Sequence, residues 1–315
     1  MNILVTGSAG FIGFYVSKIL LERGNNVIGV DNFYPYYDVT LKETRNAILE
    51  KYSNYKLYKI DISDLDSLRE VFEENSIDRV CNLAAQAGVR FSLENPYIYG
   101  KSNLEGFINI INLTHEFNIK NFIYASSSSV YGNNTKYPYS ESDTVNHPVS
   151  LYAATKAANE LIAYSYNQTF KLKTIGLRFF TVYGPMGRPD MAYYKFTQKI
   201  LSGQQIEVYN NGDMKRDFTY VDDIANGVVK AIDCDYDCEI FNLGNNKPEN
   251  LGYMIELLEK YIGIEAVKVY LPMQKGDVLE TYADVEKAEN MLGYKPTTNL
   301  DEGLRKFIEW YTGYY

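Results

Sequence analysis

The sequence predicts an α/β protein built on a doubly wound parallel sheet, with a smaller α/β lobe appended. Two features carry that expectation. Short apolar runs alternate with amphipathic stretches through the first half of the chain, and strand, helix, strand repeated in this way implies right-handed parallel crossovers. A glycine-rich turn also joins the first apolar run to the first amphipathic stretch, the junction at which such sheets hold ligands.

Strands are expected at Asn2–Thr6, Asn26–Asp31, Tyr55–Ile60, Arg79–Leu83, Asn121–Ala125 and Thr174–Phe179, all short and apolar. Helices are expected between them at Gly10–Glu22, Asp64–Glu74, Tyr97–Glu116 and Ser150–Asn167. After about Thr181 the pattern turns irregular, with Gly- and Pro-bearing loops and helices near Leu251–Tyr261 and Asp301–Tyr311. The implied division is a dinucleotide-binding unit of residues 1–180 with 218–243, and a substrate lobe of 181–217 and 244–315. No internal repeat or low-complexity linker interrupts it.

Hydrophobic residues make up 46% of the 315, enough for one large or two unequal cores. The net charge of -9 comes from interspersed acids and bases, which argues against a nucleic-acid or anionic-membrane partner. No apolar run approaches the roughly 20 residues needed to span a bilayer. The chain opens directly into a strand with no basic leader, so a cytoplasmic protein is expected. Cys81, Cys234 and Cys238 lack metal-ligand spacing, and His115 and His147 lie far from them in sequence. Reduced thiols and no metal are the plain reading.

In Gly7-Ser8-Ala9-Gly10-Phe11-Ile12-Gly13 the three glycines follow the first strand and start the first helix. They let the backbone turn tightly and approach a pyrophosphate, and the helix N-terminus offers amide hydrogens and partial positive charge. A glycine triplet alone also fits an ordinary turn. Here the second strand ends at Asp31, about twenty residues on, where a carboxylate takes both ribose hydroxyls and repels a 2′-phosphate. NAD is therefore expected rather than NADP. Asp61-Ile62 closes the third strand, where the acid can face an adenine or simply cap a helix. Leu83-Ala84-Ala85-Gln86 ends the fourth with small residues that leave the cofactor room against the backbone.

Tyr152 and Lys156 lie four apart on an expected helix and so share a face. A lysine ammonium beside an oxidised nicotinamide lowers a phenol from about 10 towards neutrality, producing a base that can take a hydroxyl proton. A Y-x-x-x-K spacing is common by chance. Ser126, Ser127 and Ser128 nevertheless emerge at the end of the fifth strand, where they can hydrogen-bond the same substrate oxygen.

Taken together, GSAGFIG (7–13), Asp31-Asn32, NLAAQ (82–86), SSSSVYG (126–132) and YAATK (152–156) resemble the extended short-chain dehydrogenase/reductases that act on nucleotide sugars. The resemblance runs the length of the chain, through LRFFTVYGP (177–185), RDFTYVDD (216–223) and FNLG (241–244). Within that group it is most similar to UDP-glucuronate 4-epimerases, through AAQAGVR (84–90), HPVSLYAATK (147–156), RFFTVYGPMGRPDMA (178–192) and GDVLETYAD (276–284). The resemblance implies a Rossmann fold, bound NAD, a UDP-sugar substrate, and a homodimer formed through the helices at Tyr97–Glu116 and Ser150–Asn167.

It further implies Tyr152 as base, Lys156 as its activator and ribose ligand, and Ser127 as hydroxyl relay flanked by Ser126 and Ser128. Phe11 and Ile12 would meet the pyrophosphate, Asn32 and Asn103 would lie near the cofactor, and Phe180 and Thr181 would face nicotinamide and sugar. Arg216, with Arg90 as second candidate, would hold the diphosphate, and Asp277 would lie on the substrate side.

Related dehydratases place an acid pair in the serine stretch, and related decarboxylases carry Glu two residues before the Tyr-Gly. Ser127-Ser128-Ser129-Val130 contains no carboxylate, so proton chemistry at C5 lacks an agent and epimerisation at C4 is the preferred reaction. The resemblance places Arg188 in the substrate lobe, where a guanidinium can grip the C6 carboxylate of an acid sugar bidentately, and so implies an acid sugar. A surface pair with Asp190 is its bland alternative. Thr281 stands where glucose-selective relatives carry a bulkier tyrosine, which enlarges the pocket and keeps an N-acetylated sugar open; the alternative reading is a UDP-hexose or UDP-N-acetylhexosamine 4-epimerase. Dinucleotide-sensing proteins on this fold commonly lose the Tyr or the Lys, and both are present here.

Overall fold

A computed structural model describes residues 1–273 and 279–315. Seven parallel strands form its central sheet: β1 (Asn2–Thr6), β2 (Asn26–Val30), β3 (Tyr55–Tyr58), β4 (Arg79–Asn82), β5 (Asn121–Ser127), β6 (Lys173–Phe179) and β10 (Cys238–Leu243). Their spatial order is β10-β6-β5-β4-β1-β2-β3, so the sequence reverses direction beside β1, the switch point where a dinucleotide crosses such a sheet. This is the doubly wound Rossmann arrangement that the alternating pattern predicts.

Both faces of the sheet are covered, as parallel sheets require. On one face α1 (Phe11–Glu22) packs with α9 (Val221–Asp233) over Val5, Ile123 and Leu177. On the other, α3 (Leu65–Glu74), α6 (Gly106–Glu116) and α7 (Leu151–Phe170) cover Leu4, Val80 and Phe122. A third core joins α8 (Ala192–Leu201), α10 (Leu251–Ile262) and α12 (Leu300–Tyr314) around Tyr183, Tyr194 and Phe307. Beside it lie two small sheets, one of β7 (Thr181–Tyr183), β9 (Lys215–Tyr220) and β11 (Pro248–Asn250), the other of β8 (Ile206–Tyr209) and β12 (Lys268–Leu271).

Three local features differ from the sequence expectation. The helix expected at Tyr97–Glu116 is broken: a short turn at Pro96–Tyr99 leads into a π-helical stretch, Gly100–Glu105, before α6 begins. Strand β5 runs on through Ser126 and Ser127, because these pair with Arg178 and Phe179 of β6. Helix α2 (Thr40–Leu49) buries Lys42, Arg45 and Asn46 beside Leu41 and Leu49 on its inner face, so its apolar stripe is interrupted by polar residues.

One buried acid fastens the second lobe beneath the site. Asp217 on β9 is fully buried and accepts from the backbone nitrogens of Asn245, Asn246 and Ala283 and from the Thr219 hydroxyl. Its own backbone nitrogen donates to Thr281, and Arg216 precedes it in the strand. Burial pushes the Asp217 carboxyl up to about 6 against the pull of those hydrogen bonds. A folded-state value above the unfolded one, about 3.9, means that the native state binds the extra proton in that window. Stability from this group is therefore greatest below about pH 4 and falls as pH rises through about 6. Denaturant titrations of the parent and of Asp217→Asn should diverge accordingly: the parent's advantage shrinks by roughly 2 kcal/mol from pH 4 to pH 7 and is flat above that.

Candidate active site

The carboxyl ends of the central strands open into a cavity of about 780 Å³ that continues beneath the second lobe. At its dinucleotide end, Gly7 takes φ +69° and passes so close to β4 that a Cβ there would lie 2.9 Å from the Ala84 nitrogen. A Cβ on Gly10 would meet the Gly7 carbonyl oxygen at 2.9 Å, and one on Gly13 at 2.0 Å. The turn is closed by Gly7 N donating to Val30 O and Gly10 N to Gly7 O. Helix α1 starts at Phe11 with Gly10 as a cap that has no side chain, so its first amides face the cavity with Phe11 and Ile12. A pyrophosphate fits this cradle.

Asp31 accepts from Ala9 N and Phe33 N, with Lys42 3.9 Å away. Asn32 donates to Asp61, whose other oxygen accepts from the Ser63 nitrogen and hydroxyl. Burial works to raise the Asp61 carboxyl, but those hydrogen bonds and the Lys101 charge hold it below its ordinary value. Ile62, Leu83, Ala84, Ala85 and Gln86 complete this wall. Asn103 does not line the cavity. From the π-helical stretch its amide receives Gln86 N and donates to Gln86 O and Thr155, so it braces the wall from behind.

At the reaction end, Tyr152 and Lys156 project from one face of α7 into the cavity; the Ser127 hydroxyl, which donates to Ser129 Oγ at 3.1 Å, lies close enough to act on the Tyr152 phenol. Burial raises that phenol, while Ser127 and the Arg188 charge pull it down. Lys156 is not among the groups that act on it here. Lys156 donates instead to the Ala125 carbonyl at 2.8 Å, and burial draws its ammonium down to about 8 against the pull of Glu160. Strand pairing separates the serines: Ser127 faces Tyr152, whereas the Ser126 hydroxyl turns to the buried Glu160 at 2.5 Å. Ser128 lines the cavity at the strand end, and Phe180 and Thr181 close the opposite wall.

Towards the second lobe, Arg188 is paired with Asp190. Arg216 donates to the carbonyls of Lys215 and Leu279, and Arg90 lies over the Tyr209 ring at 5.7 Å. All three arginines line the cavity with Thr281. Asp277 lies outside the described residues.

Sequence reasoning missed four contributors. Arg45, fully buried, donates to Ala9 O, Tyr37 Oη and Met186 O and ties the glycine turn to the loop before Arg188. Glu160 accepts from Arg178 at 2.9 and 2.7 Å under the serines; a charged residue inside an apolar strand was the available signal. Tyr36 and Tyr99 pack beside Arg188 and Tyr152 respectively, and among 30 tyrosines nothing in sequence marks them.

The model of the GDP-mannose 4,6 dehydratase family matches residues 4–307. A UDP-glucuronate 4-epimerase of Arabidopsis thaliana is 46% identical over 333 residues, covering 100% of this chain and 76% of that protein. The crystal structure of a UDP-glucuronic acid 4-epimerase from Bacillus cereus, in complex with UDP-glucuronic acid and NAD, superposes with a TM-score of 0.94 at 34% identity, with 100% of both chains covered. A UDP-glucose 4-epimerase from Thermotoga maritima, with UDP-glucose, gives 0.91 at 32% identity, over 100% of this chain and 99% of that one.

The cradle yields one prediction. Gly13→Ala forces its Cβ against the Gly7 carbonyl, an overpacking that costs about 1–3 kcal/mol. The variant should lose most of its dinucleotide on purification and melt several degrees lower. An unchanged ultraviolet dinucleotide signature and melting temperature would contradict the fit.

Proposed function

This chain belongs to the GDP-mannose 4,6 dehydratase family, and we propose that within it the protein is an NAD-dependent 4-epimerase of UDP-sugars acting on UDP-glucuronate to give UDP-galacturonate. The observation that carries the choice of reaction is where the carboxylates lie. Among the described residues, those lining the cavity are Asp31, Asp61, Asp190 and Glu207. Asp31 and Asp61 are held at the dinucleotide end, Asp190 is paired with Arg188, and Glu207 accepts from Tyr209. None stands beside Ser127 to exchange a proton at C5, which dehydration requires. Epimerisation at C4 needs no such group.

When bound, NAD supplies reversible hydride acceptance at C4 of the sugar. The chain's own residues do the rest. Tyr152 takes the O4 proton and later returns it, and Ser127 holds the same oxygen and passes the hydrogen bond on to the phenol. Lys156 orients the ribose and fixes the helix face that carries Tyr152. Asp31, Asn32, Asp61 and the glycine turn bind the dinucleotide, with residues 1–180 and 218–243 as its unit. Arg216 and Arg90 hold the diphosphate across the lobe of 181–217 and 244–315. The Arg188 guanidinium receives the C6 carboxylate. Thr281 on the cavity wall favours a second reading, a sugar with a larger C2 substituent, such as a UDP-N-acetylhexosamine.

No helix of the described residues is long and apolar enough to cross a membrane, and we place the enzyme in the cytoplasm. The α6–α7 face exposes Ile108, Leu161 (72%) and Tyr164 (58%), an apolar strip that supports a homodimer through these helices.

Two experiments test the reading. Purified protein incubated separately with UDP-glucuronate, UDP-glucose and UDP-N-acetylglucosamine should convert the first to its 4-epimer far faster than the others; UDP-xylose with CO2 as main product would mean a decarboxylase. Tyr152→Phe should keep its fold and dinucleotide yet lose roughly 10²- to 10⁴-fold in kcat, and parental turnover would refute the assigned base.

A further inference from the structure

Arg188 reaches the cavity with one edge already taken. Its Nε donates to Asp190 Oδ1 at 3.0 Å and its Nη2 to Oδ2, in a pair whose side chains are 23% and 21% exposed. Asp190 Oδ2 also accepts from the Tyr36 hydroxyl at 3.2 Å. The Tyr36 ring lies 5.9 Å from the guanidinium and 4.9 Å from the ring of Phe91. Gly88, at φ +107°, closes the space behind it: a Cβ there would lie 2.7 Å from the Tyr36 hydroxyl. Three segments distant in sequence thus converge on one side chain: the loop after β2, the loop after β4 and the turn before α8.

A guanidinium carries five N–H donors in a planar fork. Asp190 uses the Nε hydrogen and one on Nη2. Among the described residues nothing accepts from Nη1, so the Nη1–Nη2 edge is left for a second carboxylate. We propose that Asp190, anchored by Tyr36, is a specificity-determining positioning residue: by occupying one edge of Arg188 it fixes the other as the receptor for the C6 carboxylate of the sugar. The inference rests on the UDP-glucuronate reading above and adds what makes Arg188 selective. Its charges suit the task. Burial works to raise the Asp190 carboxyl, yet Arg188 and Tyr36 hold it below its ordinary value, so it stays ionised. Burial, with the Asp190 charge, pushes the Tyr36 phenol up to about 12, so it remains a donor.

Fixing that edge has a chemical consequence. Once C4 is a ketone, the sugar is a β-keto acid. When the C5–C6 bond lies parallel to the carbonyl π system it can break: CO2 leaves, the electron pair enters an enolate across C4 and C5, and a solvent proton adds at C5. A carboxylate held by an immobile edge is kept out of that alignment. An arginine free to swivel on its flexible stem would not hold it there.

The test compares parent, Asp190→Asn, Tyr36→Phe and Arg188→Ala, each loaded with NAD, by kcat and KM for UDP-glucuronate, by KM or inhibition constant for UDP-glucose, and by the fraction of UDP-pentose product formed with loss of CO2. Asp190→Asn should lower the acid-to-neutral preference roughly tenfold, a change of about 1.4 kcal/mol, and raise the pentose fraction several-fold. Dinucleotide content and the UDP-glucose constant should be unchanged. Tyr36→Phe should move both readouts the same way by less, and it decides the question if Asp190→Asn does not fold. If Arg188→Ala abolishes the acid preference while Asp190→Asn or Tyr36→Phe leaves preference and pentose fraction at parental values, the positioning role is overturned and the UDP-glucuronate reading stands. If Arg188→Ala itself leaves the preference intact, both fall together.

Discussion

The site rests on an ion pair that never touches the cavity's contents. Glu160 and Arg178 are 5% and 3% exposed, and their pairing brings together α7, which carries Tyr152 and Lys156, and β6, which pairs with the serine strand. Glu160 also receives the Ser126 hydroxyl, and Arg178 donates to Tyr131, which donates in turn to Asn242 on β10. Removing one member of such a pair leaves an uncompensated buried charge, which costs about 3–5 kcal/mol. Its value here is geometric. The pair sets the height of α7 against β5, and therefore the approach of the Tyr152 phenol to the Ser127 hydroxyl.

The dinucleotide end is governed by close backbone approach rather than by side chains. Glycines at 7, 10 and 13 are required because each missing Cβ would enter occupied space. Arg45 holds the turn from outside through carbonyl and phenol oxygens. Because the same guanidinium grips Met186 O, the pyrophosphate cradle and the loop leading to Arg188 are fastened at one point.

The electrostatics of the base follow from burial. Burial favours the neutral phenol of Tyr152, and the groups opposing that are Ser127 and Arg188. Arg188, the receptor proposed for a sugar carboxylate, therefore also sets a positive field at the phenol. Lys156 sits deeper, against the Ala125 carbonyl with Glu160 one turn away, a position suited to fixing the helix and meeting a ribose.

The sheet, the glycine cradle, Asp31 and the Tyr152–Lys156 spacing were legible in the sequence because they obey local rules: a period of two or 3.6, a turn that only glycine can take, a four-residue spacing on one helix face; Ser127 and Arg188 stood out through the motifs they share with a family. Such rules operate within a few residues and need no partner to be legible. Tertiary structure alone decided the rest. Helix α2 turns polar residues inward because Arg45 and Asn46 find partners in other loops, so periodicity could not reveal it. Asn103 lies in a π-helical stretch whose register is set by the Gln86 backbone, and it supports the wall instead of lining it. Ser126 and Ser127 are neighbours in sequence but point to opposite faces once β5 extends along β6. Tyr36 meets Asp190 across 154 residues of chain, and Glu160 meets Arg178 from another element. Contacts of that kind depend on where the folded backbone brings distant segments, and no local pattern encodes the meeting.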